Sequence, residues 1–370
     1  MKTYPHIEVY SLEDLPKPAS GTNLIVHYVF QYIDFSKVPE YWTSKRFIDC
    51  VFFGCTIPNG MGDLLESSLV LPRMRMRFQA FKYQLYTGDE LYKGFDPDCP
   101  ETFESCFDTA VYRDYLEQGN ALNDIRISLA RSLHDYSIRD AMNDFLERYD
   151  PHDVVGIMGG HHLKRTDPFF RQIVLISKTL TEKGKLMVSG GGPGAMEATH
   201  LGAWMAGREE PEVDDALSML AGSRVYEDEG WVASAFKVRQ KYPQRRYHSL
   251  GVPTWLYGHE PSTPFATEIA KYFENSLRED MILRIGRGGI VFTPGSAGTL
   301  QEIFQDATLN HYLVCGESSP MVFLGEKYYT ETMPVYPFMS KMLSEGKYKN
   351  LQLSITDDIA AVVDLLMKAF

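Results

Sequence analysis

Leu186-Met187-Val188-Ser189-Gly190-Gly191-Gly192-Pro193-Gly194-Ala195-Met196-Glu197 is the stretch on which the fold turns. A short apolar run ends in glycines, and a helical pattern starts at Ala195. Strand, glycine turn and helix in that order form the repeating unit of a parallel α/β sheet. The pattern returns at Ile290-Val291-Phe292-Thr293, followed by Pro294-Gly295-Ser296-Ala297-Gly298-Thr299-Leu300-Gln301-Glu302. Working outward, short apolar runs predict strands at 154–158, 186–189, 252–257, 290–293 and 321–324. Helices are expected at 168–182, 195–206, 265–284, 300–312 and 357–368. The charged, weakly patterned stretch 208–248 reads as an insertion of loop and short helix, and no internal repeat is visible.

Before residue 150 the sequence has a different character. Aromatic-rich short strands, as in Leu24 to Phe30 and Phe47 to Ile57, alternate with irregular segments. A helix from Leu122 through Ile125, Leu129, Leu133, Ile138, Met142 and Phe145 is expected to end at Tyr149-Asp150-Pro151, because a residue before proline avoids helical geometry. The fold class expected is α/β: an N-terminal α+β accessory domain (1–150), then a Rossmann-like doubly wound parallel sheet (151–370).

The chain has 370 residues, 44% of them hydrophobic and 23% charged, which excludes a disordered or low-complexity polypeptide. With 49 acidic residues against 37 basic, the net charge is -12. A fold-wide positive field for nucleic acid or anionic lipid is therefore not expected, and any anionic ligand must be held locally. Five cysteines with uninformative spacing suggest neither a disulfide framework nor structural zinc. No signal pattern and no membrane-length apolar run is seen, so a cytoplasmic, reduced setting is expected.

The two glycine turns carry the chemistry. Each lies at the carboxyl end of a predicted strand, where open α/β sheets bind ligands. Glycines let a backbone approach a ligand closely, and unpaired amides at a helix start favour an anion. Geometry alone also demands glycine in such turns. Neither turn is GxxxxGK[ST], which disfavours a P-loop, and neither gives GxGxxG followed by an acidic residue at the right distance, so a dinucleotide redox enzyme is the weakest of three readings.

The pair Gly190-Gly191-Gly192-Pro193-Gly194-Ala195-Met196 and Pro294-Gly295-Ser296-Ala297-Gly298-Thr299-Leu300-Gln301-Glu302 resembles the motifs of LONELY GUY (LOG) proteins, written PGGxGTxxE. The resemblance spans roughly residues 151–370, and the extra N-terminal part makes the layout similar to the larger bacterial members. It implies hydrolysis of a nucleoside 5'-monophosphate to free base and ribose 5-phosphate, with a purine such as AMP favoured. It also implies a homo-oligomer (dimer or higher), with no cofactor and no metal. The family's RKxxM-like segment is matched by Arg278-Glu279-Asp280-Met281. Glu279 stands for the lysine, Met281 comes one residue early, and Ser296 replaces the second glycine of its turn. These departures keep a second reading open: a nucleotide sensor or carrier of the same fold.

The residues then take roles. Glu302 is the expected catalytic carboxylate, stabilising an oxocarbenium-like ribose and activating water. Alternatively, Thr299-Leu300-Gln301-Glu302 is a capping box, with Glu302 closing a helix start. Arg278 suits phosphate or ribose, or else pairs with Glu274 on the same helix face. Gly191, Gly192, Gly194, Gly295, Ser296, Gly298 and Thr299 form the expected phosphate and ribose cradle. Met196 and Gly160 are expected beside the substrate, and Glu197 either contacts ribose or offsets a helix dipole. Gly159-Gly160-His161-His162 and His259-Glu260-Pro261 follow strand ends and read as pocket-side loops. Arg73, Arg75 and Arg77 alternate with Met74 and Met76, and so would share one face of a strand.

Overall fold

The computed structural model describes residues 6–18, 22–119, 124–258 and 260–368. The chain divides into two compact units, Met1–Tyr83 with Asn123–Ser137, and Gln84–Leu122 with Ile138–Phe370.

The first unit stacks parallel strands without intervening long helices. Strands β1 (Ile7–Val9), β2 (Leu24–Val26), β3 (Tyr28–Gln31), β4 (Arg46–Ile48), β5 (Val51–Phe53), β6 (Leu65–Glu66) and β7 (Leu69–Leu71) form two sheets, ordered β1-β3-β5-β7 and β2-β4-β6. Only the one-turn helix α1 (Pro39–Trp42) and short 3-10 turns join them. Pairing falls about 20 residues further along at each step, Ile7 with Tyr28, Val29 with Val51 and Val51 with Leu69, which is the period of a solenoid. The sequence shows no repeat because what recurs is backbone geometry. His27, Asp49 and Ser67 turn successive corners with positive φ, between residues of very different type. Inside, Phe30 stacks on Phe52 at 5.0 Å and meets Phe47 edge-on at 5.8 Å, so aromatic packing joins one coil to the next. Met74 and Met76 are half-buried while Arg73, Arg75 and Arg77 are exposed, but this segment lies outside any strand, with Arg77 in a bend.

The second unit is a Rossmann-like sheet. Its strands are β8 (Val154–Met158), β9 (Leu186–Ser189), β10 (Ser249–Gly251), β11 (Glu268–Ile269), β12 (Ile290–Phe292), β13 (Pro320–Phe323) and β14 (Gln352–Ile355). All are parallel, in the order β11-β10-β9-β8-β12-β13-β14. Its helices in chain order are α2 (Gly88–Leu91), α3 (Phe107–Gln118), α4 (Ile125–Leu146, shared with the first unit), α5 (Pro168–Glu182), α6 (Ala195–Trp204), α7 (Glu210–Leu220), α8 (Trp231–Lys241), α9 (Asn275–Ile285), α10 (Ala297–His311), α11 (Val335–Ser344) and α12 (Ile359–Met367). Helix α5 shows the local logic. Asp167 caps it by accepting from the Phe169 amide, Pro168 occupies its first turn, and Phe170, Ile173, Val174 and Leu180 are buried on one face. From β8 the chain winds outward through β9, β10 and β11, then returns to β12 on the other side of β8. Connections leaving β8 and β12 therefore diverge, and a crevice opens at their carboxyl ends.

Three sequence expectations are corrected here. The strand placed at 252–257 lies earlier, at β10. Pro253 has no N–H to give a ladder, and the chain continues as an extended segment in which Tyr272 donates to the Pro253 carbonyl at 3.0 Å. The helix placed at 265–284 begins only at Asn275. Phe265, Ile269 and Tyr272 are buried in strand and loop, an apolar run whose periodicity does not separate strand from helix. The stretch 208–248 holds two full helices, α7 and α8, the first started by a reciprocal Glu209–Glu212 capping box. Among the described residues, no helix is long and apolar enough to cross a membrane.

Candidate functional site

Three turns meet at the crevice, and hydrogen bonds lace them together. The Gly160 amide donates to the Pro294 carbonyl at 3.1 Å, and the Gly160 carbonyl accepts from the Ala195 amide at 3.1 Å. Gly160 thus ties the turn after β8 to both glycine turns. Gly194 has φ +67, and a Cβ there would stand 2.6 Å from the His161 carbonyl oxygen. Gly191 has φ +70 and packs against Pro253, 2.9 Å from where its Cβ would be. Both glycines are required by close backbone approach. The second turn is held from below: Tyr329 donates to the Thr293 carbonyl at 2.6 Å, and Tyr328 donates to the Gly295 carbonyl.

These turns border a cavity of about 390 Å³, within the roughly 300–1,000 Å³ usual for small-molecule sites. Of the residues expected from the sequence, Gly160, Gly192, Met196, Ser296, Gly298 and Thr299 line it, together with Arg278 and Glu302. Gly191, Gly194 and Gly295 do not line it, and each is closely approached by neighbouring parts of the turns, Gly295 by the Thr299 side chain. Glu197 is placed elsewhere. It is fully buried in the first turn of α6, where Arg165 grips both carboxylate oxygens, with Nε to Oε2 at 2.9 Å. Arg165 also donates to the Ser223 and Trp231 carbonyls, each at 3.1 Å, so the pair ties the α7–α8 insertion to α6.

Glu302 sits in the second turn of α10. That helix starts at Ala297 with Ser296 as its N-cap, and no side chain caps it. Thr299 therefore lies inside the helix, and the capping-box alternative for Glu302 has no helix start to close. Ala297, Gly298 and Thr299, with their first-turn amides, border the cavity, as an anion site requires. Burial pushes the Glu302 carboxyl up to about 7, with the neighbouring Glu279 charge adding to the rise and Arg278 opposing it. Arg278 is itself buried on α9. Its Nε donates to Asn275 Oδ1 at 3.0 Å and its Nη1 to the Val252 carbonyl at 3.4 Å. A Cβ on Gly190 would lie 3.0 Å from that Nη1, so the guanidinium rests on the first glycine turn.

The departures from the LOG-like pattern acquire positions. Glu279 lines the cavity, accepting from Asn275 Nδ2 at 2.7 Å and from Gln301 Nε2. It puts a second carboxylate near Arg278, where the resembled motif has a cation.

No protein-family model matches the chain, and no curated protein matches it. Among solved structures, the chain is similar to the molybdenum cofactor binding protein from the phototrophic bacterium Rippkaea orientalis, at 12% identity and a TM-score of 0.38, over 58% of this chain and 94% of that one.

Residues not singled out as ligands by the sequence complete the opening. His161 Nδ1 lies 3.5 Å from Glu260 Oε1, and both line the cavity along with Tyr257. His161 and His162 have ring centroids 3.9 Å apart, and Tyr226 from the insertion packs edge-on to His161 at 6.2 Å. These side chains come from three separate loops, and no linear spacing signals their meeting. His259 lies outside the described residues. Chemically, the site offers an amide-rich helix start and an arginine for an anion, and a carboxylate with a proton affinity near neutral for acid–base work.

Proposed function

We propose that this protein hydrolyses the N-glycosidic bond of a nucleoside 5'-monophosphate, a purine such as AMP being favoured, to free base and ribose 5-phosphate. The observation that carries the reading is the meeting of Glu302 and Arg278 in one cavity bordered by both LOG-like glycine turns. In this reading the first-turn amides of α10 and Arg278 hold the anionic and ribose portions. The glycosidic bond breaks with its electron pair leaving on the base, and the oxocarbenium-like ribose so formed is stabilised by a positioned carboxylate. As the water oxygen bonds to the anomeric carbon, ionised Glu302 takes the water proton, and that proton passes to the departing base.

The second reading, a nucleotide sensor of the same fold, is favoured by Glu279, whose charge stands where the resembled motif has lysine. Free base released from a panel of nucleoside 5'-monophosphates decides between them, with binding of the same panel measured by calorimetry. Release of base supports the hydrolase. Binding of a monophosphate with no release would replace it by the sensor, and neither binding nor release would overturn both.

A further inference from the structure

The corners of the N-terminal stack bring together three side chains that lie far apart in the sequence. His27 sits between β2 and β3, and Asp49 follows β4, at the equivalent corner one coil later. His6 precedes β1, and its ring meets that of His27 edge-on at 5.5 Å. His27 Nδ1 lies 2.9 Å from Asp49 Oδ2, and one ligand atom from each of the three residues lies within 4.8 Å of the other two.

We propose that this corner binds a divalent transition-metal ion, zinc being the best match. Two imidazoles and one carboxylate are a borderline-soft donor set, suited to zinc, cobalt or nickel and poorly suited to calcium or magnesium. Metal–ligand bonds of about 2.0–2.2 Å place tetrahedral donors roughly 3.3 Å apart, so rotamer adjustment of exposed side chains closes the site, with water in the remaining position. The His27–Asp49 pair already sits within that separation. His6 lies at the exposed end of the stack and supplies the third donor. Because each ligand belongs to a different coil, the ion would staple the first three coils together, and its binding free energy would add to their stability. The sequence hides the site because its donors meet only when the chain is wound at the solenoid period.

The test uses the full chain, stripped with a chelator and titrated with Zn²⁺ in competition with a weak chromophoric chelator. Wild type should take up one equivalent and melt at a higher temperature with the metal. Co²⁺ should give the intense visible bands of a site with fewer than six ligands. Asparagine tolerates left-handed backbone, so His27→Asn and Asp49→Asn keep the corners intact, and each should weaken uptake at least about tenfold. His6→Gln should do the same. Wild type taking up no Zn²⁺, folded corner variants binding as tightly as wild type, or uptake lost instead in His161→Gln would overturn the proposal.

Discussion

The seven-stranded sheet and the N-terminal stack both align parallel strands, and they differ in what joins one strand to the next. In the sheet, helices intervene, and the turns after β9 and β12 bring glycines and a helix start to the crevice. In the stack, one- or two-residue corners alternate with longer connections that hold only α1 and 3-10 turns, and side chains of successive coils lie above one another. Parallel pairing thus produces a cavity bordered by glycine turns in one unit and ladders of side chains in the other. Backbone groups carry the first and side-chain chemistry the second.

Two substitutions probe that difference, the larger effect first. Arg165→Met leaves the Glu197 carboxylate buried without its partner in the first turn of α6. The expected cost is about 3–5 kcal/mol, read by denaturant unfolding. A loss below about 1 kcal/mol would mean that the insertion is not anchored through this pair. Ser67→Gly should have the opposite sign and a smaller size. Ser67 is exposed with φ 52, and glycine relieves that corner at some cost in chain entropy, for a net gain of about 0.5–1 kcal/mol. Destabilisation would show that the serine side chain, rather than backbone freedom, holds the corner.

Legibility in the sequence followed the same divide. Strands β8, β9, β12 and β13 and helix α5 could be read because each is a short apolar run or amphipathic helix bounded by its own proline, glycine or cap. Gly192, Ser296 and Gly298 are expected at the crevice because strand-to-helix turns have fixed topological positions, whereas Arg278 and Glu302 are expected there through the family resemblance, and all five line the cavity. Glu197 was ambiguous, since a carboxylate in a helix's first turn looks the same whether it faces ligand or Arg165. His161 meets Tyr257 and Glu260 from a second loop; the sequence marks both loops as following strand ends, but no spacing shows that they meet. The stack was read as short strands, but its coil was hidden: Val9, Phe30, Phe52 and Val70 share one register while differing in size, and the corner residues His27, Asp49 and Ser67 share only a backbone angle.

The central claim is that Glu302 acts as a base whose carboxyl titrates at about 7. It is most directly tested by the pH dependence of base release in wild type and Glu302→Gln. A carboxyl raised above its ordinary 4.5 still holds its proton in mildly acidic solution, and so is inactive as a base there. Wild-type kcat should therefore rise with pH, with a midpoint near 7, and level off above it. Glu302→Gln should fold normally, lose about 10²–10⁴ in rate and lose that rise. A wild-type rate flat across this range, or a glutamine variant that keeps both rate and profile, would contradict the account.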